Sequence, residues 1–207
     1  MERVLEVYKR PYNPLFPVIC MDESPKQLIG ETKTPIAAKP GSLEKHDYEY
    51  ARNGVCNIFM SNEPLRGKRK VKVTRNKTRI DWALFTEEIA GQYPEAEKIT
   101  LVMDNYDTHK AGAFYEAFPP EKAKALWDRF EFIFTPKHGS WLNMAEIELN
   151  VLMGQCLNRR IATIEEIEKE VKAWEEYRNN RNAKINWQFT TDNARIKLRK
   201  LYPTFKE

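Results

Sequence analysis

"ITLVMDNYDTHK", residues 99–110, decides the fold. A short apolar run leads straight into Asp104, Asn105, Asp107 and His109. Such a run, bounded by polar turn formers, is the pattern of a buried strand. Residues 98–104 therefore read as a strand with a carboxylate at its carboxyl end. "PVICMDESPKQ" (17–27) repeats the arrangement with Asp22 and Glu23. Each acid alone could be turn punctuation, because Asp and Asn open turns by bonding their own backbone. Two strands that both end in acid raise the alternative that they form halves of one site, since sheets of this kind bind ligands at the strand ends.

Working outward, "KQLIGE" (26–31) reads as a short partner strand. The proline-rich "TKTPIAAKPGS" (32–42) reads as a loop, and a strand is centred on 54–60. "RKVKVTRNK" (69–77) alternates Lys with Val, the period of a half-solvated strand. A helix is expected over 78–94, with Asp81 as its N-cap and Ile80, Leu84, Phe85, Ile89 and Tyr93 at helical spacing. Helices at 109–118 and 119–130 meet at Pro119–Pro120, and "EFIFTP" (131–136) is a strand. Helices over 140–160, 163–181 and 190–202 complete an α/β layout with one mixed sheet.

The third acid comes from "TPKHGSWLNMAEIE" (135–148), a strand-to-helix junction that carries Glu146 and Glu148 into the first turns of a helix. Asn143 and Glu146 have capping-box spacing, and Glu148 could be surface charge. The apolar stripe Leu142, Ala145, Leu149, Leu152 and Cys156 has the two glutamates on opposite sides. Both cannot face one site, and periodicity does not choose between them. Several carboxylates at one point suit a pair of metal ions about 3.5–4 Å apart. Magnesium takes oxygen ligands, and without a cation such acids repel one another.

The bulk properties narrow the function classes. The chain has 207 residues, a net charge of +4 and a pI near 8.8. This permits a nucleic-acid partner without requiring one. "RGKRKVKVTRNKTR" (66–79) carries eight Lys or Arg and no acid. Lys68, Lys70 and Lys72 would line one face of a strand, giving sequence-independent phosphate contacts. Cys20, Cys56 and Cys156 are widely spaced and odd in number, which argues against zinc or a disulfide framework. No apolar run reaches 18 residues and no leader pattern opens the chain, so a cytoplasmic protein without membrane contact is expected.

"CMDES", "VMDNYDTH" and "TPKHGSWLNMAEIE", in that order, resemble the catalytic motifs of IS630-type transposases, members of the Tc1/mariner superfamily with a DDE endonuclease domain. The likeness extends to "DYEYARNG", "CLNRRI" and "ARIKLRKLYP". It implies an RNase H-like fold, a mixed five-stranded sheet flanked by helices, in one catalytic domain over 1–207 with a helical C-terminal extension over about 140–202. It implies a triad of Asp22, Asp104 and Glu146 holding Mg²⁺ or Mn²⁺ as two ions, and so favours Glu146 over Glu148. The acids Asp104 and Glu146 are separated by 41 residues, 105–145. It also implies DNA partners (transposon ends, and target sites at TA), a homodimer, and a nucleoid-associated place in a bacterial cytoplasm. The first catalytic strand begins within about twenty residues of Met1, so the helix-turn-helix domains usual in the family are expected to be absent.

Supporting residues follow from position. Asn105 could hold a metal-bound water or phosphate. His109, with Lys110, opens a helix whose N-terminus favours anions. Lys137, His138, Trp141 and Asn143 lie in the loop before Glu146, where Trp141 could stack on an unpaired base. Two rivals share the acids: a stand-alone RNase H-like nuclease without strand transfer, and a non-catalytic DNA-binding or assembly module.

Overall fold

A computed structural model describes residues 1–106 and 109–202. Asp107, Thr108 and residues 203–207 lie outside the described residues. In chain order the elements are α1 (Glu2–Tyr8), β1 (Val18–Glu31), β2 (Tyr50–Glu63), β3 (Lys68–Thr74), α2 (Arg79–Gly91), β4 (Ile99–Met103), α3 (Ala111–Ala117), α4 (Pro120–Asp128), β5 (Phe130–Phe134), α5 (Met144–Leu152), α6 (Ile164–Asn180) and α7 (Thr191–Lys197). The strands form one sheet in the order β3-β2-β1-β4-β5. β1 runs antiparallel to β2 and parallel to β4, and β4 runs parallel to β5. This is the RNase H-like arrangement.

β4 is buried at all five positions, as an apolar strand covered on both faces must be. Its alternation sorts the core. Ile99, Leu101 and Met103 join Ile19, Met21, Trp82, Phe85 and Phe114 under α2, α3 and α4. Val102 joins Cys20, Ile133, Met144 and Ala145 beneath α1, α5 and α7. A third cluster packs Cys56, Ile58 and Met60 of β2 against α5 and α6. α1 was not foreseen. It is short and carries no side-chain cap, and it is held by burying Val4, Leu5 and Val7.

Three expectations need correction. "KQLIGE" is no separate strand but the far half of β1, which continues through Pro25 to Glu31 with an irregularity between Gln27 and Ile29. β4 pairs β1 only from Val18 to Cys20. Beyond that point β1 has no strand neighbour on that side among the described residues, the setting in which a strand accepts proline. The N-cap of α2 is Thr78, with Asp81 closing a capping box three residues on. The helix expected over 140–160 is broken. Ser140–Leu142 is a 3₁₀ turn, Asn143 caps α5, and Met153–Leu157 is a π turn.

Glu148 is not surface charge. Its side chain is only 1% exposed, and Arg69 of β3 and Arg178 of α6 bracket it at 3.1 and 2.7 Å. α6 also protects the sheet edge. Asn179 Oδ1 and Glu175 Oε2 accept the outward main-chain N–H groups of Arg69 and Val71 at 2.8 and 2.9 Å. These are donors that an edge strand would otherwise offer to another chain. The ion triad therefore ties β3, α5 and α6 together. Removing one partner of a buried pair strands the remaining charge. Glu148→Ala is expected to cost about 3–5 kcal/mol, whereas Arg159→Ala, at an exposed pair with Glu170, costs at most about 1 kcal/mol. Urea unfolding of the two variants checks the contrast.

Candidate active site

Strand alternation builds the first half of the site. Cys20 of β1 pairs with Val102 of β4. Two residues further on, Asp22 and Asp104 fall on the same face as Cys20 and Val102. Glu23, one residue out of phase, falls on the opposite face. The second half arrives with α5, whose first turn carries Glu146. Asp22, Asp104 and Glu146, with Glu23, Ser24, Ser140, Leu149 and Asn150, line a single open cavity of about 380 Å³. Asp104 and Ser140 also line a neighbouring cavity of about 400 Å³ with Asn105, Tyr106, Thr135, Pro136, Lys137 and His138.

Asn143 fastens the two halves. It is fully buried. Its Oδ1 accepts the Ala145 N–H at 3.1 Å, and its Nδ2 donates to Met21 O at 2.7 Å and to Asp22 Oδ2 at 3.3 Å. The Glu23 N–H donates to the other Asp22 oxygen at 2.8 Å. Asn143 is thus a cap and a brace for Asp22. The expectation that it contacts DNA fails because no part of it reaches solvent.

His109 is also turned inward, 2% exposed, and α3 begins only at Ala111. Its ring packs on Trp82 with centroids 5.3 Å apart. Nδ1 lies 2.8 Å from Asp104 Oδ1 and donates to Asp104 O at 3.2 Å, while Nε2 lies 3.3 Å from Glu23 Oε1. The contacts with Oδ1 and Oε1 are ion-pair contacts lying off the hydrogen-bond line, for both oxygens belong to carboxylates yet neither ring nitrogen aims squarely at them. Lys77 also reaches Glu23 Oε1, at 3.2 Å. Burial opposes charge on His109, yet Asp104 and Glu23 beside it push its pKa up to about 9. A phosphate-binding role for His109 is corrected accordingly.

Of the three lysines, Lys70 and Lys72 both reach Glu88 of α2, at 2.9 and 2.6 Å, and Lys68 donates to Asn179 O at 2.8 Å. They are not the free basic row that the alternation implied, because a helix carrying a carboxylate covers that face. Asn105, Lys137, His138 and Trp141 are exposed. His138 holds a left-handed backbone (φ 61°), a strain that clusters at functional sites. A Cβ on the following Gly139 would meet Pro136 at 2.6 Å, so this tight turn needs glycine. Sequence reasoning noted Glu23 beside Asp22 but gave it no role, and passed over Tyr106; the period-two alternation of β1 was the signal that separated Glu23 from Asp22.

Burial, reinforced by Glu23, Asp104 and Glu146, pushes the pKa of Asp22 up to about 7. Among the described residues, no three acidic, His or Cys side chains stand close enough to hold an ion as placed. Asp22, Asp104 and Glu146 line one cavity, and Asp104 and Glu146 are close enough to act on the charge of Asp22. The donor set nevertheless fits a hard divalent cation. It is all carboxylate oxygen, costly to ionise together, and Glu23 Oε2 and Asp104 Oδ1 are buried without an aligned hydrogen bond.

An RNase H-like sheet with acids at the ends of β1 and β4 and at the start of α5 defines an acid-centred nuclease-type domain. The chain belongs to the DDE superfamily endonuclease family, whose model matches residues 17–168. Among solved structures it is similar to the Mos1 mariner paired end complex with Mn (15% identity, TM-score 0.58, covering 87% of this chain and 55% of that one). It is similarly close to the Mos1 transposase paired-end complex with left transposon end (13%, 0.56, 86% and 56%) and to the Mos1 strand transfer complex (14%, 0.56, 87% and 54%). The chain thus spans about half the length of those it matches. No curated protein matches it. Among the described residues no helix is long and apolar enough to cross a membrane.

The Asp22 shift gives a signed expectation. Folded Asp22 holds its proton more tightly than unfolded Asp22, so the stability it contributes is complete below about pH 3.8 and lost as pH rises through about 7. Asp22→Asn removes that loss. The melting temperature of the metal-free variant is expected to rise relative to wild type between pH 4 and 7, as thermal melts across that range will read.

Proposed function

We propose that residues 1–207 are the DDE catalytic domain of an IS630-type transposase, which cuts a phosphodiester at transposon ends and transfers the freed 3′-OH into target DNA. The observation that carries this reading is the single cavity lined by Asp22, Asp104 and Glu146, in a chain of the DDE endonuclease family. The similarity to Mos1 complexes with transposon ends and with Mn supports it.

Asp22, Asp104 and Glu146 are the residues that would hold two Mg²⁺ or Mn²⁺ ions. Such ions activate the attacking oxygen and stabilise charge on the phosphate and the leaving oxygen. Asn143 fixes Asp22 through Oδ2, and α5 delivers Glu146 from the opposite side. Lys137 and His138, exposed beside Asp104, are placed for the DNA backbone. Trp141, half exposed and edge-on to Phe189, is placed for an unpaired base, a contact of about 1–3 kcal/mol. Insertion at TA, a homodimeric assembly and a nucleoid-associated cytoplasmic setting follow from the family resemblance as part of the same proposal.

Asp104→Asn is nearly isosteric and removes the charge that a metal needs. It is expected to abolish Mg²⁺-dependent cleavage of labelled element ends while the variant stays folded, as its circular dichroism spectrum will show. Cleavage retained by this variant would refute the assignment. Joining of pre-cut ends separates a transposase from a nuclease that only cleaves.

DNA binding gives a second test. Lys137→Ala is expected to weaken binding to all sequences alike and flatten the salt dependence by about one phosphate contact. The Lys70→Ala, Lys72→Ala pair should leave the slope unchanged, since Glu88 already offsets those charges. Titrations at several salt concentrations, on element-end and random DNA, compare the two.

A further inference from the structure

We propose that His109 and Glu23 are positioning residues for Asp104: the imidazole holds the Asp104 carboxylate by Oδ1 so that the group faces the cavity, and Glu23 fixes the ring from its other nitrogen. The inference rests on the reading of Asp104 as a metal ligand.

Asp22 and Asp104 differ in what supports them. Asp22 lies within β1, paired with Met60 of β2, and is braced by Asn143. Asp104 has left β4. The last ladder bond on this strand is from the Thr135 N–H to Met103 O, and residues 104–106 have no regular structure. Among the described residues, His109 ties this segment back to the fold, beside Lys77, whose ammonium sits 4.8 Å from the Tyr106 ring centroid. The His109 N–H donates to Tyr106 O at 3.0 Å, and its Nδ1 reaches both Asp104 O and Oδ1. The ring is clamped between Trp82 and Tyr106, centroids 5.3 and 6.1 Å away.

Glu23 makes little sense as a stabilising residue. Its side chain is 2% exposed and its Oε2 has no hydrogen-bond partner, a costly state for a carboxylate. Its other oxygen faces His109 Nε2 and Lys77. Carboxylates that hold a metal are themselves oriented by outer partners, and His109, held between Glu23 and Asp104 by ion-pair contacts of 3.3 and 2.8 Å, is such a partner for Asp104. These contacts pass from one face of the sheet, where Glu23 lies, to the other, where Asp104 opens on the cavity.

The test is Mn²⁺ binding by the full chain, followed by electron paramagnetic resonance titration, beside thermal melts. Wild type is expected to bind and Asp104→Asn to lose binding. His109→Leu is expected to bind about 10–100-fold more weakly, and His109→Asn, which keeps a donor near the place of Nδ1, to recover much of that loss. Removing histidine takes away no negative charge, so weaker binding reads lost orientation rather than lost attraction. Cleavage by His109→Leu should recover as Mn²⁺ is raised, a shift that general loss of folding would not give. Folded His109→Leu with wild-type affinity overturns the inference. Should that variant fail to fold, His109→Phe, which keeps a ring between Trp82 and Tyr106 but has no donor, decides in its place, with unchanged affinity overturning the inference and a several-fold loss supporting it. Wild type that binds no Mn²⁺ overturns both the metal reading and the inference built on it.

Discussion

Everything at the site depends on the parallel pairing of β1 with β4. Three residue pairs, ending at Cys20 and Val102, set the phase of both strands. Because side chains alternate strictly along a strand, that register alone brings Asp22 and Asp104 to one face and sends Glu23 to the other. A slip of one residue would exchange the carboxylates with the apolar residues beneath them. The register is secured by what lies on either side: Met21, Leu101 and Met103 in one core, Cys20 and Val102 in another.

The third acid depends on a different kind of constraint. α5 is short and amphipathic, and its rotation is set by Asn143 at one end and by Glu148 between Arg69 and Arg178 further along. A buried ion triad is an expensive way to pack a helix. Its directionality is what an apolar contact lacks, since a carboxylate between two guanidinium groups tolerates little rotation. With Glu148 held inward, Glu146 is left at the cavity rim.

The electrostatics then form a consistent whole. Burial and the neighbouring carboxylates raise the pKa of Asp22, and the protein tethers Asp22 and Asp104 separately. The tether on Asp22 is a neutral amide and the tether on Asp104 is an imidazole shared with Glu23. Both come from residues that a sequence reading would assign to DNA contact because they are polar and lie near an acid. Their burial, and not their chemistry, gives them another role.

The sequence by itself determined the strands that end in Asp22 and Asp104, the mixed α/β layout and the order of the three acidic motifs, because hydrophobic periodicity is local and survives without tertiary context. It also carried the family likeness, which picked out Glu146 where periodicity stayed silent. The tertiary structure alone decided that Glu148 is buried between Arg69 and Arg178, that Lys70 and Lys72 answer to Glu88, and that His109 and Asn143 brace acids instead of touching DNA. Each of these is a contact between residues far apart in the chain. No window of sequence contains both partners, so neither the burial of a polar group nor the neutralisation of a charge can be read until the sheet order and helix packing bring them together.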